Sequence, residues 1–234
     1  MQTIYDWRPN IEDIGGRKRE NFPDIVDDDF WCLYDIGKKY SMVHVTGFYN
    51  VWSSIKYIHE NQIEGDFVEC GVWLGGVSIF AALTLSFLGD RTRRVHMYDT
   101  FAGFPVGSVD SKRGVEVKGP SYKNFREAVE RNIVDSGADK DRVSIVEGPV
   151  EKTLTETLPK SIAIARLDTD HYSSTKAEME FLYPIRSPLG VLIVDDYGEY
   201  DGSRKAVDEY LKAHASSIML ASVDRGVRSA IKTS

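Results

Sequence analysis

Two cysteines and five histidines in 234 residues leave several kinds of protein out of reach. Two thiols do not make a disulfide framework, and Cys70, set inside an apolar strand pattern, reads as a buried thiol, with Cys32 as the other. Positive charge is scarce as well: 29 Lys and Arg stand against 36 Asp and Glu, a formal net charge of -7. A general nucleic-acid binder draws affinity from neutralising phosphates, so this balance argues against one. The basic cluster "GGRKRE" at 15–20 is followed by Asp24, Asp27, Asp28 and Asp29, and reads as a solvated, mixed-charge surface. The longest apolar run, "VSIFAALTLSFLG" at 77–89, falls short of the ~20 residues of a membrane span. The opening "MQTIYDWRPNIEDIGG" lacks the basic-then-apolar layout of a signal peptide. A soluble, reducing, cytoplasmic setting is the expectation, with no membrane and no nucleic acid as partner.

What is present is alternation. From about residue 65, short apolar runs alternate with longer helical patterns, the signature of a parallel sheet flanked by helices. Strands are expected at 66–70, 93–99, 142–148, 161–168 and 190–196, and helices at 75–89, 121–137, 173–186 and 203–214. The runs "IMLASVD" and "VRSAIKT" suit a terminal antiparallel hairpin. Residues 1–64 are irregular, with a helical patch at 49–61, and read as an extension that packs on or covers a 65–234 core. The stretch 101–120 is long for a connection, as functional lids are.

Two places carry chemistry. "DFVECGVWLGGVS" puts Glu69, Gly71, Gly75 and Gly76 between the first strand and its helix. Glycines let the backbone turn sharply and approach a ligand, and the helix N-terminus offers free N–H groups. The spacing is neither G-x-G-x-x-G nor a P-loop; it fits the E-x-G-x-x-x-G turn of class I methyltransferases, which bind S-adenosylmethionine (SAM). A tight turn with no ligand is the plainer alternative. Asp99 ends the second strand, where an acid is placed to accept hydrogen bonds from ribose hydroxyls.

The second place is acidic. "IAIARLDTDHY" ends the fourth strand with Asp168, Asp170 and His171, and "VLIVDDYG" ends the fifth with Asp195 and Asp196. If those strands pair, about 4.8 Å apart, Asp168 and the Asp195–Asp196 pair face one pocket. Three converging carboxylates repel unless a divalent cation sits among them. Oxygen-only ligation suits Mg²⁺, with Mn²⁺ or Ca²⁺ as substitutes. The bland alternative is that each aspartate caps a helix or turn. His171 beside such a cluster is either a general base, a substrate contact or a bystander. His44, His59, His96 and His214 show no partner in the pattern, and His96 is most simply structural.

"GDFVECGVWLGGVSIF", "YDTFAGFP" and "LDTDHYSSTKAEMEFLYPIRSPLGVLIVDDYG" together resemble the macrocin O-methyltransferase (TylF/MycF-like) family, over about residues 60–215. The resemblance implies a Rossmann-like class I methyltransferase fold: α/β, doubly wound, mostly parallel, with the C-terminal hairpin and an N-terminal helical lid. It implies SAM contacts at Glu69, Gly71 and the turn through Gly75 and Gly76, and ribose contacts at Asp99 and Thr100. Asp168, Asp195 and Asp196 match the family's metal ligands, Asp168 also bordering the cofactor, and Asp170 matches a proposed general base. The acceptor expected is a hydroxyl of a sugar or glycosylated natural product.

The mechanism so implied is in-line transfer of the SAM methyl to a hydroxyl oxygen, assisted by Mg²⁺, with Asp170 or His171 taking the proton. Phe101, Phe104, Tyr49 and Trp52 either stack on sugar faces or pack in the core. The rival readings are a metal-dependent methyltransferase of phenolic or catechol hydroxyls, a Rossmann oxidoreductase that would bind NAD, and a non-catalytic SAM-binding protein. A homodimer or higher homo-oligomer is left open.

Overall fold

The computed structural model describes residues 16–103, 110–112, 114–117, 125–216 and 218–232. Phe104 lies outside them. Among the described residues nine strands fall in two sheets, of which the larger has the order β5-β2-β1-β6-β7-β9-β8. Its members are β1 (Asp66–Cys70), β2 (Val95–Asp99), β5 (Val143–Glu147), β6 (Ile162–Leu167), β7 (Arg186–Val194), β8 (Ala221–Ser222) and β9 (Arg228–Ile231). The first five pair in parallel; β9 runs antiparallel to both β7 and β8, which is the expected hairpin. All six residues of β6 are buried, as befits a parallel strand covered on both faces. Strand order reverses between β1 and β6, so the switch crevice opens at their carboxyl ends.

One face carries α3 (Gly76–Phe87) and α4 (Phe125–Ser136); the other carries α5 (Val150–Glu156), α6 (Tyr172–Ile185) and α7 (Asp201–Ala213). Within the N-terminal segment, α1 (Asp28–Gly37) and α2 (Val45–Glu60) pack on α3 rather than hanging over solvent. Asp27 caps α1 by accepting from the N–H groups of Asp29 and Phe30, at 3.1 and 3.4 Å. Phe30, Tyr34, Phe48, Trp52 and Phe80 then meet in one buried block, mostly edge to face, with Phe30 and Tyr34 stacked face to face. Trp52 and Phe101 are therefore core residues, and Tyr49 packs against Phe30.

Several expectations need correction. Arg17, read as part of a solvated cluster, is buried and donates to the Ser41 carbonyl. His96, read as unpartnered, sits 2.9 Å from Asp66 Oδ2. Helix α6 stops at Ile185, just past Pro184, and β7 begins at Arg186, four residues earlier than expected, with an irregular register against Ile162 and Ile164. Helices α1 and α5 were not anticipated, nor was the small hairpin of β3 (Asp110–Lys112) and β4 (Val115–Val117) inside the long 101–120 stretch. Among the described residues no helix is long and apolar enough to cross a membrane.

Candidate active site

The chain leaves β1 through Gly71, whose φ of +81° belongs to the left-handed region. A β-carbon there would lie 1.9 Å from the Asp168 carbonyl oxygen, so only glycine lets the two strand ends close up. Beyond it, the N–H groups of Val72 and Trp73 donate to Asp99 Oδ2 at 2.8 and 3.0 Å, and Phe101 N–H donates to Oδ1 at 2.8 Å. One carboxylate at the end of β2 thus ties its own turn to the turn after β1. Thr100 Oγ1 donates to the Gly103 carbonyl at 2.7 Å. Glu69, Gly71, Asp99 and Thr100 all line one cavity of about 510 Å³. Gly75 and Gly76 are not among its lining residues. Gly76 instead admits the segment 37–41 at close range: a β-carbon there would lie 2.6 Å from the Gly37 carbonyl oxygen and from Ser41 Cβ.

The same cavity reaches the ends of β6 and β7, where Asp168, Asp170, His171, Asp195 and Asp196 line it. One oxygen each from Asp168, Asp195 and Asp196 lies within 4.8 Å of the others. Register explains the meeting: Leu167 pairs with Val194 across the parallel ladder, and the next residues are the two aspartates. Asp196 Oδ2 is buried, and no N–H or hydroxyl group donates to it. Three carboxylates and an orphaned oxygen make a donor set that fits a hard divalent cation. Burial first, and neighbouring carboxylates after it, push the Asp168 and Asp196 carboxyls well above the ordinary range. Asp170 holds a left-handed backbone, φ +67°. Burial pushes its carboxyl up to about 7, with the charges of Asp168 and Asp195 adding to the rise and a hydrogen bond with Asp196 and the Lys112 charge opposing it.

His171 is the N-cap residue of α6, without a side-chain capping bond. Burial lowers its pKa, while Asp110 and Glu151 pull the other way. None of the aspartates of "LDTD" caps that helix through its side chain.

Arg166, not among the residues expected from the sequence, stands in the middle of the site. It is fully buried on β6 and its guanidinium joins three acids: Nη1 meets Glu69 Oε1 at 2.6 Å and also Asp168 Oδ2, while Nη2 meets Asp195 Oδ1. Glu69 also accepts from Ser78 Oγ. Burial alone would discharge this arginine, but Asp168, Asp195 and Glu69 outweigh it and hold it charged. An arginine interrupting the apolar run "SIAIARLD" was the available signal, since a buried charge demands partners.

Asp110 was not expected either. From β3 it accepts from the N–H of Tyr172 and of Gly202, each at 3.1 Å, and stands 3.7 Å from His171 Nδ1. It therefore joins the first turns of α6 and α7. A β-carbon at Gly202 would lie 2.0 Å from Asp110 Oδ2, so glycine there makes room for the carboxylate. Asp201 returns the contact, accepting from Ser111 Oγ and from Gly114 N–H. The hairpin so docked brings Lys112 to the cavity wall, over the Tyr200 ring at 4.9 Å. Ser41, Met42 and Val43 of the N-terminal segment line the same space.

Residues 33–228 match the sequence model of the Macrocin-O-methyltransferase (TylF) family. The chain belongs to the macrocin-O-methyltransferase family. It is an O-methyltransferase, with SAM as methyl donor. Among relatives of this family member, the 8-demethyl-8-(2,3-dimethoxy-alpha-L-rhamnosyl)-tetracenomycin-C 4'-O-methyltransferase of Streptomyces olivaceus is 33% identical over 190 residues, 79% of this chain and 72% of that one. The mycinamicin III 3''-O-methyltransferase of Micromonospora griseorubida is 30% identical over 193 residues, 80% of this chain and 76% of that one. Among solved structures, the O-methyltransferase NovP superposes with a TM-score of 0.74 at 28% identity, covering 83% of both chains. The calicheamicin methyltransferase CalS11, at 17% identity and a TM-score of 0.60 over 98% of this chain and 99% of that one, shares the fold.

Proposed function

We propose that this macrocin-O-methyltransferase family member methylates a hydroxyl on the sugar of a glycosylated small molecule, in a Mg²⁺-dependent reaction. The observation that carries the reading is the meeting of Asp168, Asp195 and Asp196 in the cavity onto which the Gly71 turn opens. Relatives whose names specify sugar positions of tetracenomycin and mycinamicin support the acceptor class.

In this reading Asp99 and Thr100 hold the ribose of SAM, and the backbone from Gly71 to Trp73 shapes the bed for the rest of it. Bound to Asp168, Asp195 and Asp196, Mg²⁺ would supply Lewis-acid stabilisation of negative charge on the acceptor oxygen. Arg166 keeps one oxygen of Asp168 and one of Asp195 engaged, which orients the other oxygens and limits the repulsion among the acids. The acceptor oxygen forms its bond to the methyl carbon as the carbon–sulfur bond breaks, the pair staying on sulfur. The hydroxyl proton passes to Asp170, placed on the cavity wall by its left-handed backbone. The docked hairpin and residues 41–43 close the acceptor side against water and choose the acceptor.

Chelation followed by add-back tests the metal: turnover should vanish with EDTA and return with Mg²⁺. Asp168→Ala and Asp196→Ala should abolish metal-dependent turnover, and either variant at full activity would remove the assignment. Asp170→Asn should lower kcat while leaving the SAM Kd nearly unchanged. Screening glycosides against catechols reads the acceptor class.

A further inference from the structure

Helix α6 carries, at Glu178, a carboxyl group for which methyl transfer has no direct use. It is wholly buried behind the 168–171 loop, beside Thr169 and Cys70. Its hydrogen bonds can be settled by counting hydrogens. Ser174 Oγ donates to the His171 carbonyl at 3.1 Å, and a carbonyl has no hydrogen to return. The 2.7 Å contact between Thr169 Oγ1 and Ser174 Oγ therefore uses the threonine's hydrogen. A hydroxyl has one hydrogen to donate. Thr169 then has none for Glu178 Oε1, 2.8 Å away, and that contact is a hydrogen bond when the glutamate supplies the hydrogen.

Two further facts agree. No N–H or hydroxyl group donates to the buried Glu178 Oε2, a lack that costs an ionised carboxylate far more than a neutral acid. The titratable groups acting on Glu178 are Glu151 from α5 and Cys70 from β1, neither of them a cation; burial above all holds its pKa up to about 8, the Glu151 charge adding to the rise and hydrogen bonds with Thr169 and the Cys70 thiol opposing it.

We propose that Glu178 is a neutral carboxylic acid that donates to Thr169 and, through Thr169 and Ser174, fixes the loop carrying Asp168 and Asp170, a positioning residue for methyl transfer. The use made of that loop rests on the site proposed above; the proton on Glu178 does not. The two are therefore measured separately.

Infrared difference spectra between wild type and E178Q near neutral pH read the proton: a carboxylic-acid C=O band should be present in the wild type and absent in the variant. Linkage gives a second readout. An acid with a raised folded pKa favours the fold fully below the ordinary glutamate range, and that contribution is lost as pH rises to about 8. The Tm of wild type should accordingly fall relative to that of E178Q from about pH 5 to about pH 9. No acid band and a Tm difference flat across that range would overturn the proposal.

For positioning, E178A should lose about tenfold to a hundredfold in kcat with an unchanged SAM Kd, as supporting hydrogen bonds behind a site commonly do. E178Q, whose amide N–H can still donate to Thr169, should recover most of that loss. If E178A does not fold, T169V breaks the same chain and should show the same fall. E178Q as impaired as E178A, or T169V at wild-type kcat, would overturn the positioning role. An enzyme indifferent to EDTA would count against the metal reading alone and leave the acid band standing.

Discussion

Arg166 shows what one residue can settle. A fully buried guanidinium stabilises three acids only because its two terminal nitrogens reach Glu69 and Asp168 on one side and Asp195 on the other. A lysine presents one point of charge and no fork. Arg166→Lys should therefore leave at least one acid buried and unpaired, and Arg166→Met all three. Removing one partner from a buried pair costs about 3–5 kcal/mol, so Arg166→Met should show that loss in chemical denaturation and bind no divalent cation in calorimetry. A denaturation midpoint equal to wild type would refute the central role given to it. The residue was hard to see in the sequence for a physical reason. Along β6 it reads as one polar letter in an apolar run, and its meaning comes from Glu69 opposite it on β1 and Asp195 one strand further on. The aspartates were legible because they end two strands, where a parallel sheet collects its ligands.

Among elements, the least legible was the hairpin of β3 and β4. Neither strand is longer than three residues, too short for alternation to register, and it is held by Asp110 and Asp201 against helix N-termini far away in sequence. Helix α5, seven residues starting after Pro149, is likewise below the length at which helical periodicity declares itself. The longer elements were readable, since β1, β2, β6 and α3 lie close to their expected bounds. The docking geometry makes a prediction of its own. Gly202→Ala would press a methyl group onto Asp110 and lift the hairpin, and with it Lys112, from the cavity wall. The acceptor KM should rise while the SAM Kd and the Tm stay near wild type. An unchanged acceptor KM would mean that the hairpin takes no part in acceptor binding.

Across the whole molecule, the two ends of the sheet do different work. The carboxyl ends of β1, β6 and β7 hold the site; at the other end, Asp90 gathers β2, α2 and β5. It accepts from Thr92 N–H and Arg93 N–H at 2.9 and 3.1 Å and from the Arg93 guanidinium, which also reaches the Ile63 carbonyl, while Arg142 donates to the Asp90 carbonyl at 2.6 Å. Burial would raise the Asp90 carboxyl, but these bonds bring it down to about 2. Since its folded pKa is depressed, its contribution is complete above the ordinary aspartate range and is lost as pH falls from about 4 toward about 2. Near neutral pH it is worth about 2 kcal/mol. Asp90→Asn should lower the denaturation midpoint at pH 7 and approach wild type as the pH nears 3, with SAM binding unaffected; parallel stability curves down to pH 3 would refute this. The contact of Gly71 with Asp168 has a different consequence. Because the backbone of one half-site rests directly on the backbone of the other, the sheet acts as a ruler between methyl donor and acceptor. Loops around it can be exchanged to admit new acceptors while the distance the methyl must cross stays the same. The family can therefore diversify its substrates without rebuilding its chemistry, and the residue that keeps the gauge is one with no side chain at all.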